Sequence, residues 1–170
     1  MDPIGTYFAA ERGESALFLA VGLLALGVAA WGTWVSRRRW LAGAAWPLAA
    51  VALIQITVGA SIWLRSPHDM VRVQQTVQHE PRRLRSDEIP RMRQVMANFE
   101  LYRQLEIGLG VAGLMVAALA ARRPFWRGVG LGLALQAGLM LLLDLFAEAR
   151  GSTYLDSLMA QDPEASLPRR

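Results

Sequence analysis

The sequence predicts an all-α integral membrane protein, a four-transmembrane-helix bundle made of two α-hairpins, with an extramembrane helical insertion between helices 2 and 3. Three observations lead there. The chain has 170 residues, 54% of them hydrophobic, and its apolar residues gather into four long runs instead of recurring with the period of a soluble amphipathic helix. None of the four runs carries a charge in its central stretch. Tryptophans stand at the ends of the runs, where an interfacial aromatic belt belongs.

The first span covers 15–35 and the second 40–64; the third covers 105–121 and the fourth 125–147. With a rise of 1.5 Å per residue, each approaches the roughly 30 Å of a hydrocarbon core. The third is short, and its crossing borrows Leu105 and Glu106. Trp31, Trp34, Trp40 and Trp126 flank one set of span ends, and Trp63 marks the opposite end of the second span. The first run does not read as a cleaved signal peptide. A signal peptide opens on a basic stretch, whereas Asp2, Glu11 and Glu14 here face only Arg12, and the apolar run is too long. It is expected to stay as a helix.

Orientation follows from the short loops. One holds Arg37, Arg38 and Arg39, the other Arg122, Arg123 and Arg127, and neither contains an acid. Every Asp and Glu lies on the other side. The positive-inside rule puts the two Arg loops in the cytoplasm, and both termini and the insertion in the periplasm. The raw count pulls the other way, because the opposite side holds the other twelve of the 18 basic residues. All 18 are arginine, which with the abundance of Ala, Gly and Leu points to a GC-rich bacterial genome and a multi-pass protein of the inner membrane.

The insertion, 66–104, reads as helical. Ser66-Pro67-His68-Asp69 has the form of a helix start, with Ser as N-cap, Pro in the first turn and an acid after it. Met70, Val73 and Val77 are its apolar positions, and the run His79 to Arg83 breaks the pattern. Ser86-Asp87-Glu88 starts a second helix that tolerates Pro90 only in its first turn. Nothing interrupts it before the third span, so one helix of on the order of 50 Å is expected from about Asp87 to Ala121. Ile89, Met92, Met96 and Phe99 form a narrow apolar stripe on it. The stripe either packs on the preceding helix as a hairpin cap, lies on the membrane surface, or docks a partner protein. The C-terminal tail, 150–170, is expected to be partly disordered.

The two halves resemble one another weakly. Each runs helix, Arg-rich loop, Trp, then a helix with one glutamine, Gln55 or Gln136. Two hairpins side by side are also the simplest four-helix bundle.

Cysteine is absent, which excludes disulfides, thiol catalysis, thiolate metal sites and the cysteine-based quinone-linked oxidoreductases. Glu14, Arg65, Glu100, Arg103, Glu106, Asp144, Glu148 and Arg150 all fall at one membrane face. Glu100, Arg103 and Glu106 succeed one another every three residues, and Asp144 and Glu148 are four apart, so neighbours in each set share a helical face. The ring they form reads either as interfacial ion pairs that fix helix ends or as a polar vestibule for a cation, a lipid headgroup or a small polar ligand. Asp144, between Leu143 and Leu145, is the sharpest member. Gln55 and Gln136 are the only strongly polar side chains within the spans, suited to an inter-helix hydrogen bond or, less simply, to a quinone. His68, Met70, Met92 and Met96 could offer imidazole and thioether ligands to Cu(I), although the methionines fit an apolar stripe without a metal. No resident cofactor is expected.

Gly108-Leu109-Gly110-Val111-Ala112-Gly113 matches GxGxxG but lies inside an apolar span with no preceding strand, so it is no dinucleotide site. Gly128, Gly130 and Gly132 make a small-residue face for close helix approach. There is no Ser/His/Asp arrangement, no HExxH and no P-loop. Arg clusters between spans meet lipid phosphate before nucleic acid. The expected function is that of a non-enzymatic interaction or accessory protein, immunity-type or complex-stabilising, acting through its periplasmic helical face on another membrane or periplasmic protein or on a second copy. The first alternative is a small transporter or channel with the acidic ring at its mouth. The second is a membrane enzyme, or a redox-cofactor or metal binder.

Overall fold

The computed structural model describes residues 3–79 and 83–161, and within them it is helical, without strands. Helix α1 spans Pro3–Trp34 and α2 spans Arg39–His79. A short π-helical segment, Leu84–Glu88, leads into α3, Ile89–Leu119, and α4 spans Pro124–Gln161. Pro3, Pro90 and Pro124 sit in first turns, where their missing N–H leaves no intrahelical acceptor unpaired. The α1 end is closed by Val35 and Ser36 N–H groups, both donating to the Trp31 carbonyl at 3.0 Å. The α3–α4 turn is held by Ala120 N–H on Val116 and Arg123 N–H on Ala120.

Three of the four helices, α1, α2 and α4, are long and apolar enough to cross a membrane. Helix α3 is not, because Arg103 and Glu106 interrupt its apolar stretch. From Ile107 to Leu119 that stretch is only about 20 Å long.

One element differs from the sequence expectation. No helix starts at Ser66, since α2 runs unbroken through Pro47 and Pro67 to His79. A mid-helix proline removes one backbone bond and strains one turn. Burial outweighs that here. Ser66 is buried and donates its hydroxyl to the Phe8 carbonyl of α1 at 3.3 Å, and one helical repeat on, Val73 enters a core with Ile4 and Phe8. In the tail, α4 continues to Gln161, and residues 162–170 lie outside the described part. Gly151, Tyr154 and Leu158 recur at helical spacing and are all buried, so a packed face carries the helix past residue 150.

The helices pack as two hairpins, α1 with α2 and α3 with α4, joined chiefly through α2 and α4, with a smaller contact between α1 and α4. Glycines set the closeness. A Cβ at Gly43 would strike the Phe125 carbonyl, and one at Gly128 the Trp40 carbonyl, so α2 and α4 meet backbone to backbone near their starts. Gly113 and Gly130 do the same between α3 and α4. Such contacts replace the hydrophobic effect as the glue between helices in lipid. Alanines 25, 29, 44, 45 and 52, with Leu48, form the thin α1–α2 core. Large apolar side chains instead face outward along the spans, among them Leu23, Leu24, Leu109, Leu114, Leu135 and Leu142. A belt of this kind is what lipid solvates and water does not.

Candidate functional site

At the end of the bundle away from the Arg loops the helices turn polar. Local spacing groups these side chains by helical face. Arg103 and Glu106 share a face of α3, and Asp144 and Glu148 share a face of α4, so packing the two helices in antiparallel sense brings the sets together. Arg103 Nη1 donates to both oxygens of Glu148, at 2.8 and 3.0 Å. Glu14 of α1 is paired with Arg150 of α4, whose guanidinium also lies 5.3 Å from the Tyr7 ring centre. Arg12 stacks over Trp63 at 4.6 Å, tying α1 to α2 at the interface. Arg65 and Arg72 both reach Asp69, at 3.5 and 3.0 Å, within α2. Glu100 is exposed.

Two carboxylates are left over. Glu106 is only 6% exposed, and both its oxygens are buried without a hydrogen-bond donor among the described residues. The carboxyl group of Asp144 lies beside it, close enough for the two charges to act on one another. The nearby arginines are committed, Arg103 to Glu148 and Arg150 to Glu14. Two like charges side by side in a poorly solvated place repel strongly unless one positive charge joins them. Asp144 stands about 30 Å along α4 from Arg123, so the pair lies at the end of the apolar stretch away from the Arg loops.

Two turns deeper, about 12 Å along α4, Gln136 meets Gln55 of α2. Gln136 Nε2 donates to Gln55 Oε1 at 2.6 Å, and both side chains are fully buried. Gln55 Nε2 and Gln136 Oε1 find no other partner among the described residues. One half of each amide is used and the other half is left over.

Beyond the acidic layer the helices continue as a packed extension. Tyr7 of α1 stacks on Tyr154 of α4, ring centres 4.0 Å apart. Their hydroxyls each donate to a carboxylate, Tyr7 to Glu11 and Tyr154 to Glu88, both at 3.4 Å. Arg91 grips Glu88 through Nε at 2.9 Å and Nη2 at 2.5 Å. Burial works against the Arg91 charge, but the hydrogen bonds and charge of Glu88 outweigh it and hold the guanidinium above its ordinary pKa. Sequence reading did not single out Tyr7, Glu11, Glu88, Arg91 or Tyr154. The available signal was the apolar spacing of Ile4, Phe8 and Tyr154, which extends helical faces past the spans.

The apolar stripe turns inward. Ile89 and Met92 are buried in one core with Ile4, Tyr7, Phe8, Val73, Tyr154 and Leu158, with Met70 packed beside it. Met96 Sδ and the Phe99 ring lie against Gly151. Ile89 and Met92 are thus taken up by the extension's own core, while Met96 and Phe99 are half-buried. His68 is exposed, whereas Met92 is wholly buried among apolar groups, so the four residues considered for Cu(I) lie in different environments. Comparison with known protein families, with curated proteins and with solved structures finds no match for this chain.

Proposed function

We propose that the protein is a small four-span transporter-type protein of a bacterial inner membrane that takes up a single positive charge, a proton or a monovalent cation, between Glu106 and Asp144. The carrying observation is the buried Glu106 carboxylate, which has no donor, faces a second carboxylate, and is flanked by arginines already paired elsewhere. Unpaired intramembrane acids are costly and mark ion pathways by default. In this reading α3 is the fourth crossing element. Its outward Leu109, Val111, Leu114 and Met115 support lipid contact, and with so short a crossing element Glu106 would lie near the edge of the hydrocarbon layer. The Arg loops would face the cytoplasm and the acidic mouth the periplasm.

Reconstituted into proteoliposomes, the wild-type protein is expected to dissipate an imposed proton or monovalent cation gradient. Asp144→Asn and Glu106→Gln should each lower the rate at least tenfold. Flux insensitive to both substitutions would refute the assignment.

A second reading, the interaction or accessory protein, is favoured by the half-exposed Val71, Leu101 and Tyr102 on the projecting extension. It requires a partner to cover that apolar surface. The same experiment separates the two, since a reconstituted wild-type protein that moves no ion leaves the accessory reading standing.

A further inference from the structure

The two Arg loops lie far apart in sequence, yet the fold joins them. Helices α2 and α4 cross with their backbones in contact where Gly128 meets the Trp40 carbonyl and Gly43 meets the Phe125 carbonyl. Arg39 immediately precedes Trp40, and Arg127 immediately precedes Gly128. The crossing therefore brings 36–39 and 120–127 side by side into one surface. All six arginines on it, Arg37, Arg38, Arg39, Arg122, Arg123 and Arg127, are exposed. Among the described residues no carboxylate pairs with any of them, whereas at the opposite end Arg65, Arg72, Arg91, Arg103 and Arg150 each have an acidic partner. Crowding six guanidinium groups without an acid is unfavourable until an anion joins them.

Beside this surface runs an open groove of about 720 Å³ along the α3–α4 turn. Arg122 and Arg123 line it together with the apolar Leu119 and Trp126 and with Ala120 and Ala121. Leu119 is among the most exposed leucines in the molecule, at 89%. A guanidinium offers paired N–H donors that match phosphate oxygens. Trp at a span end sits at headgroup depth. Phosphate alone would engage the arginines and leave Leu119 and Trp126 bare, while a lipid would use both kinds of lining.

We propose that this face is a binding site for an anionic phospholipid, with the phosphate held by the joined Arg loops and the first acyl carbons laid in the groove against Trp126 and Leu119. The inference is independent of the carboxylate pair, because it rests on the opposite end of the molecule. It also gives α2 and α4 a reason to cross without side chains between them, since that contact is what merges the loops.

The test uses the full chain in mild detergent, with lipid binding followed by native mass spectrometry and by Trp fluorescence. Phosphatidylglycerol or cardiolipin is expected to bind at least tenfold more tightly than phosphatidylcholine. The R122Q/R123Q/R127Q variant should lose affinity on the order of a hundredfold, at roughly one contact per arginine near the headgroups. R37Q/R38Q/R39Q should weaken the same binding although it alters the other loop, and replacing the same residues by Lys should preserve most of it. Helicity and elution volume, unchanged in these exposed-loop variants, exclude misfolding. Equal binding of phosphatidylcholine, full displacement by inorganic phosphate, or loss confined to one loop would each overturn the proposal.

Discussion

At the scale of single residues, the bundle shows how differently buried polar groups behave when partnered and when not. Gln55 and Gln136 share one hydrogen bond between α2 and α4, and each keeps an unused amide atom in the interior. A bond of this kind in a membrane contributes about 1 kcal/mol or less. Breaking it from one side costs more than its own worth, because the surviving amide is left entirely unpaired. Gln136→Leu alone is therefore expected to destabilise the protein by about 1 to 2 kcal/mol. Gln55→Leu combined with Gln136→Leu should recover most of that loss. Thermal unfolding in detergent, arranged as a double-mutant cycle, measures it; additive losses would show that the two amides do not interact. Glu106 presents the other case, a charged group with no protein donor, and there the missing partner is read as function.

At the scale of elements, the glycines divide into two kinds. Gly43, Gly113, Gly128 and Gly130 face backbone atoms of another helix, with no room for a methyl group. Gly27, Gly108 and Gly138 have open space around the position a Cβ would take. Gly128→Ala is expected to force α2 and α4 apart, costing about 1 to 3 kcal/mol or more because backbone must move. Gly138→Ala should be neutral or stabilising by up to about 1 kcal/mol through helix propensity alone. Melting temperatures of the two variants in the same detergent give the comparison. The close approach at Gly128, Gly130 and Gly132 could be read from their small size, but not as one face: Gly128 and Gly132, four apart, face α2, whereas Gly130 faces α3. What spacing could not supply was the partner: Gly128 meets Trp40 and Gly130 meets Gly113, and nothing local encodes that choice. Ser66-Pro67 misled for a related reason. Its local chemistry favours a helix start, but Ser66 and Val73 are buried against α1, and tertiary burial decided the outcome.

At the scale of the whole molecule, the long apolar runs pointed directly to the helices long and apolar enough to cross a membrane, because length and hydropathy are properties of the chain itself. Three of the four runs meet that standard in the structure, and the shortest, in α3, does not. The acidic ring was also visible as a level in the sequence. Its internal pairing was not, since whether Arg103 meets Glu148 or Asp144 depends on the rotation of two helices about their axes. The structure resolves that level into two interhelical ion pairs and one carboxylate pair. Among the described residues, one end is cationic with no carboxylate pairing its arginines. The other carries both signs, and there Glu106 and Asp144 stand side by side without an arginine between them.

The most direct measurement is infrared difference spectroscopy of the purified, lipid-reconstituted protein while pH or monovalent cation concentration is stepped. A carboxyl band that changes with the step in wild type and disappears in both Glu106→Gln and Asp144→Asn is the expected result. A band that persists unchanged in both variants, or none that responds in wild type, would contradict a shared positive charge between α3 and α4.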